Sequence, residues 1–448
     1  MTVIEGQGNR YLSGNYGPVQ EEITAHDLPV TGQVPAELSG RYLRIGPNPW
    51  PVPEGPYHWF TGDGMVHGVE LRDGKAASYR NRWVRTSQMA ERLGEPAPTG
   101  PPPPMYDSSN TNVLAHAGRI LSLTEGCVPY ELTPELDTVG RQDFGGPLPS
   151  GLTAHPKLDP VTGEMLAFAY WFEPPYVRYH VIGADGALVR SVDIETPGPT
   201  MMHDFAVTDR SVVFFDLPVV FKLELAMDPA VPFPFEWDDS YQARVGVMSR
   251  DGDGSDMTWC EVDPCYVFHP MNAYEDGDRV VVDVVRYEDM FRPVAEAGPL
   301  VSRQTLDRWS IDRTGGKVVE ERLDDRPQEF PRVDPRVAGL AHRYGYTAEA
   351  GTSFDMDGSA ILKHDLRSGT VESHDLGAGR VPGEPTFVPA EGGAEDEGWL
   401  LTFVYDAARD GSDLVVIDAT DPAGPPVATV ALPQRVPYGF HGNWVADT

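Results

Sequence analysis

With 448 residues, 40% of them hydrophobic and 10% aromatic, the chain can bury a large core, which excludes a disordered protein. Lys plus Arg number 35 against 68 Asp plus Glu, a net charge of −33, and such a field repels nucleic acid and anionic lipid. Only three cysteines occur, Cys127, Cys260 and Cys265, with no CxxC pair, which suits a reducing compartment without structural disulfides.

The opening Met-Thr-Val-Ile-Glu-Gly has no basic segment followed by an apolar one, so no secretory leader is expected. No run of 18 apolar residues follows, and the expected location is cytoplasmic. Asp-Gly pairs begin at positions 63, 73, 185, 251, 253, 276, 357 and 410, several beside short apolar or alternating runs. That pattern predicts hairpins, because type I′ turns need positive φ. Strands are predicted at Met65–Leu71, Arg119–Thr124, Met165–Trp171, Ala187–Ile194, Ser211–Leu217, Arg279–Arg286, Val318–Leu323, Ala360–Asp365, Trp399–Tyr405 and Leu414–Asp418. The best helical window is short, Thr86–Leu93. Glu95–Pro104 reads as a surface loop, and Pro218–Trp237 as an apolar, proline-interrupted insertion.

Many short strands with frequent turns predict an all-β sandwich, barrel or propeller. Length favours a propeller. Seven blades in 448 residues allow about 64 residues each, above the ~40–50 of common propeller repeats, which leaves room for inserted loops. No linker divides the chain, so residues 1–448 are expected to form one domain.

Four histidines stand in similarly built segments: Thr-Ala-His155-Pro-Lys, Met-Met-His203-Asp-Phe, Val-Phe-His269-Pro-Met and Gly-Phe-His441-Gly-Asn. Separations of 48, 66 and 172 residues rule out a shared helix or loop, so convergence requires repeated elements around one axis. Converging neutral imidazoles mean a metal, and imidazole suits Zn, Cu, Fe and Ni. A ligating histidine usually donates its second N–H to a carboxylate or carbonyl. Glu125, Glu329 and Glu384, all in Pro- or Gly-rich turns, are the candidates for that role.

Taken in order, the chain resembles the carotenoid cleavage oxygenase family from beginning to end. The likeness rests on Gly40-Arg-Tyr-Leu-Arg-Ile-Gly-Pro-Asn48, Trp59-Phe-Thr-Gly-Asp-Gly-Met-Val-His67, Asn110-Thr-Asn112, the four histidine segments and the three glutamate turns. It implies a seven-bladed β-propeller covered on one face by a dome of loops and short helices. It also implies one Fe(II) held by His155, His203, His269 and His441, with Glu125, Glu329 and Glu384 behind three of them, in pairings left open. Thr111 would lie near the open coordination position; His58 and His67 are not ligands in the family.

The implied reaction is O2-dependent scission of one C=C bond of a carotenoid or apocarotenoid into two carbonyl products. Phe60, Phe268 and Tyr287 are the implied walls of an aromatic tunnel for an apolar polyene. Val219, Val220, Phe221, Phe233 and Phe235 make residues 218–237 a candidate for weak apolar contact with a membrane surface. Family members that cleave 4-hydroxystilbenes carry Lys where this chain has Thr124, which disfavours stilbene or phenylpropenoid cleavage as the main activity. A non-catalytic propeller binding module is the alternative from another class.

Overall fold

The computed structural model describes residues 9–292, 302–351 and 357–447; the leader-free reading of residues 1–6 falls outside them. The chain forms a seven-bladed β-propeller of antiparallel sheets. Blade 1 combines Gly40–Pro47, Gly64–Arg72 and Lys75–Trp83 with Thr24–His26 and Gly442–Ala446. Blades 2 to 6 span residues 112–141, 157–194, 205–261, 266–324 and 328–375, four strands each. Blade 7 runs from 380 to 431 and takes Val30–Gly32 as its outermost strand.

The ring is therefore closed twice. A C-terminal strand enters blade 1 (Leu43 opposite Asn443), and an N-terminal strand enters blade 7 (Thr31 opposite Thr429).

Apolar side chains from neighbouring blades interdigitate to make the core. Leu43, Ile45 and Val66 of blade 1 meet Val113 and Ile120 of blade 2, and Phe168 and Tyr179 of blade 3 meet Phe205 and Phe214 of blade 4. A buried polar contact crosses the seam between blades 5 and 6: Asp283, which accepts from Arg308 of its own blade at 2.7 and 2.9 Å, faces His342 of blade 6 at 3.3 Å.

The predicted strands and helix fall where expected, within one to three residues at their ends. Asp73 (φ 53°) and Gly74 (φ 70°) form the left-handed turn that their sequence requires. The Thr86–Leu93 window is a helix over Ser87–Leu93, with Thr86 as its N-cap and left-handed Gly94 ending it. Asp63-Gly64 makes no hairpin: Gly64 opens a strand, and the Asp63 carboxylate accepts from the Trp50 N–H.

Several inner strands escape the sequence pattern. Lys157–Leu158 and Phe205–Val207 are only two and three residues long, and Tyr266–Asp276 is buried on both faces over its first eight residues. A strand buried on both faces has no polar alternation to read. The apolar insertion folds as a two-stranded ribbon, Val219–Phe221 with Phe235–Trp237, around the short helix Leu223–Ala226.

Candidate metal centre

Each blade sends one residue to the axis. His155 and His203 immediately precede the inner strands of blades 3 and 4, His269 lies within that of blade 5, and His441 precedes the closing strand of blade 1. His269 differs from the other three in lying inside its strand. It sits where the register shifts between Val267 and Pro270, because Pro270 has no N–H for the ladder. Glu125 comes from blade 2, Glu329 from blade 6 and Glu384 from blade 7.

The four ligand nitrogens all lie within 4.8 Å of one another. The Nε2 atoms of His155 and His203 are 3.0 Å apart, and those of His203 and His269 are 3.2 Å apart. His269 Nδ1 donates to Glu329 at 2.7 Å, His441 Nδ1 to Glu384 at 2.9 Å, and His203 Nδ1 pairs with Glu125. A neutral imidazole carries one proton. With Nδ1 protonated toward a carboxylate, Nε2 is a bare lone pair, so at least three lone pairs face one another. A cation among them removes the repulsion, and this donor set fits one.

The electrostatics favour the neutral form of two imidazoles. Burial, then the neighbouring His203, His441 and His269, holds His155 well below its ordinary value. Burial pulls His441 down to about 4 against the opposing pull of Glu384. For His269 burial acts the same way but is outweighed by Glu329, and its value is raised. Burial also opposes ionisation of Glu384, yet Arg332, His441 and the Gly442 N–H together hold it down to about 2.

Each glutamate is itself held. Glu125 accepts from the Tyr170 hydroxyl at 2.6 Å, and Glu329 accepts from the Tyr287 hydroxyl at 2.8 Å and from the Phe330 N–H. Glu384 accepts from the Gly442 N–H at 2.9 Å and faces Arg332 at 3.7 Å. The Phe330 ring stacks on His269 with centroids 5.7 Å apart and stands 5.5 Å from His441.

The Thr111 carbonyl accepts from the His441 N–H at 3.0 Å, and its hydroxyl donates to Asn110 Oδ1 at 2.8 Å. Phe268 stands edge-on to His203 at 5.1 Å. Phe60 lies 6.4 Å from Phe268 and also packs on Phe233, Phe291 and Phe440, so four separate loop segments meet beside the histidines. Tyr287 is wholly buried, with its ring on Phe268 and its hydroxyl on Glu329. His67 bonds the Tyr79 hydroxyl at 2.8 Å, and His58 Nδ1 accepts from the Phe60 N–H; neither joins the metal group.

Sequence reading missed Tyr170, Phe330, Arg332, Lys157 and Asp204. The last four stand within three residues of a named ligand or glutamate, which was the available signal; Tyr170 carried none. Burial pushes the Cys127 thiol up to about 12, so it is not a thiolate.

Comparison with known proteins agrees with this geometry. The family profile described as "Retinal pigment epithelial membrane protein" matches residues 16–446. A "Carotenoid cleavage oxygenase" of Mycobacterium tuberculosis is 45% identical, covering 98% of both chains. A "Carotenoid 9,10(9',10')-cleavage dioxygenase 1" of Phaseolus vulgaris is 35% identical over 98% of this chain and 90% of its own. Among solved structures, the Pseudomonas brassicacearum lignostilbene dioxygenase superposes with a TM-score of 0.89 at 28% identity, covering 98% and 99% of the two chains. A Synechocystis apocarotenoid oxygenase variant gives a TM-score of 0.87 at 28% identity, covering 98% of each.

Proposed function

Since the chain belongs to the carotenoid cleavage oxygenase family and is an oxygenase, we propose that it cleaves a C=C bond of a carotenoid or apocarotenoid, using Fe(II) and O2. The observation that carries this reading is the convergence of four imidazoles, three of them backed by buried or half-buried carboxylates. When bound, Fe(II) supplies the activation of O2. The reaction balances without an external reductant: both oxygen atoms enter, one C=C bond breaks, and two C=O bonds form.

The protein's own contribution is positional. Four neutral donors with no directly ligating carboxylate leave a divalent ion its full charge, and the glutamates fix the imidazoles through Nδ1. Phe268 and Phe330 put apolar surface against the imidazoles and exclude water from them. Thr111, whose carbonyl accepts from the His441 N–H, would limit the access of small ligands to a bound iron. Phe60, Phe268 and Tyr287 form part of the apolar wall that receives the polyene.

Thr124 supports a polyene over a phenol. Its hydroxyl accepts from the Asn110 N–H at 2.6 Å and donates to Asn110 Oδ1 at 3.0 Å, so it is fully engaged and carries no charge to ionise a phenol. Among the described residues no helix is long and apolar enough to cross a membrane. Val219 and Val220 are buried and Phe233 and Phe235 pack on the core, so these residues are not free for membrane contact; Leu223 (64% exposed) and Met227 (77%) at the tip of the insertion are the candidates for weak apolar contact instead. Replacing both with Asp should abolish co-sedimentation with neutral vesicles; unchanged sedimentation removes that role.

Aerobic incubation of Fe(II)-loaded protein with β-carotene, an apocarotenal and resveratrol, read by LC–MS, tests the main reading. Paired carbonyl fragments from a polyene are expected, and their masses locate the bond. Fragments from resveratrol alone would transfer the activity to stilbenes, and an isomerised polyene without fragments would replace cleavage by isomerisation.

A further inference from the structure

Three of the four histidines have a glutamate on Nδ1, but among the described residues His155 has none. The nearest carboxylate is Asp204, whose Oδ2 lies 3.9 Å from His155 Nδ1, beyond direct hydrogen-bond length. Asp204 is 3% exposed and already engaged: Lys157 Nζ reaches its two oxygens at 2.8 and 2.9 Å, and the Phe205 N–H donates to Oδ1 at 2.7 Å. Lys157 stands two residues after His155 on blade 3, and Asp204 one residue after His203 on blade 4. The half-buried ion pair therefore ties together two adjacent histidine-bearing segments, with its buried carboxylate directed at the histidine that lacks a glutamate.

We propose that the Lys157–Asp204 pair is the positioning element of His155, with Lys157 withholding Asp204 from direct bonding to Nδ1. The consequence is an asymmetric site. His203, His269 and His441 are polarised by carboxylates and donate strongly, whereas His155 faces a carboxylate whose charge Lys157 already neutralises. It is the weaker donor of the four. This inference rests on the four-histidine metal site, though not on the identity of the substrate.

The two partners should act in opposite directions. Asp204→Asn removes the charge that faces Nδ1, while Lys157→Gln frees Asp204 to accept from it. A pair serving only to hold two blades together would give both variants the same effect.

The experiment uses full-length protein and Co(II) as a spectroscopic probe, with affinity from titration and ligand-field absorption as readouts. Asp204→Asn is expected to weaken Co(II) binding by roughly tenfold, the lower end of what outer partners of metal ligands contribute. Its bands should shift one way and those of Lys157→Gln the other. Bands and affinity unchanged in Asp204→Asn, or shifts of the same sign in both variants, overturn the proposal. If Lys157→Gln does not fold, the affinity and bands of Asp204→Asn decide alone. Failure of the unaltered protein to bind Co(II) would instead sink the metal site itself.

Discussion

The two ends of the inner strands are built from similar residue types and behave differently. At one end, imidazoles point their Nε2 atoms at each other, and no other group among the described residues satisfies the shared set. At the other end, about 10 Å further along an extended strand, polar groups close on protein partners. Asn272, three residues past His269, donates to the Val337 and Leu340 carbonyls at 3.0 Å each and accepts from the Gly339 N–H at 2.9 Å. Arg250 likewise ties blade 4 to Asp159 and Glu164 of blade 3. Burial alone therefore does not mark a site. The mark is a buried polar set that is mutually unsatisfied while three of its four outer nitrogens are held by carboxylates.

The sharpest way to break this comparison is His203→Ala. Metal binding should fall by more than the roughly 100-fold that losing an outer partner costs, and turnover should vanish with it; retained metal and activity would refute the assignment. Glu384→Gln comes next. It keeps the shape but loses the charge behind His441, and metal affinity should drop about 10–100-fold by equilibrium titration.

The same variant carries a pH signature in the metal-free protein. Glu384 is depressed from 4.5 to about 2 in the folded state, so its contribution to stability is present above 4.5 and lost as pH falls toward 2. Unfolding curves of Glu384→Gln should therefore vary less with pH across that window than those of the unaltered protein. The smallest effect on the site belongs to the far end. Asn272→Ala should cost about 1–3 kcal/mol in urea unfolding, since it leaves backbone groups unpaired, while metal affinity stays within about twofold. A loss of affinity comparable to that of Glu384→Gln would show that the two ends are not separable.

The legible part of this molecule follows the same division. Strands with flanking turn signals were readable to within three residues at their ends, Ala360–Asp365 with its bounds intact. The inner strands at His155 and His203 are too short to show a period, so their place had to come from the histidine segments themselves. The four converging histidines and the three glutamates were readable as segments in order. Their pairing was not, because Glu125 with His203, Glu329 with His269 and Glu384 with His441 join different blades. Such pairings depend on ring closure and leave no trace in local composition. Tyr170 was invisible for the same reason: it ends an ordinary apolar strand, and only the assembled ring turns its hydroxyl to Glu125.

Closure at blade 1 also sets an order of events during synthesis. His155, His203 and His269 emerge on successive blades, but His441 follows the last of them by 172 residues, directly before the strand Gly442–Ala446 that pairs with Gly40–Arg44. A nascent chain bearing blades 2 to 6 thus offers an incomplete set of three imidazoles, with Glu384 and its partner still unmade. Only a chain whose last strand has joined blade 1 brings all four imidazoles together, so an ion held by the four would fasten that strand to Gly40–Arg44.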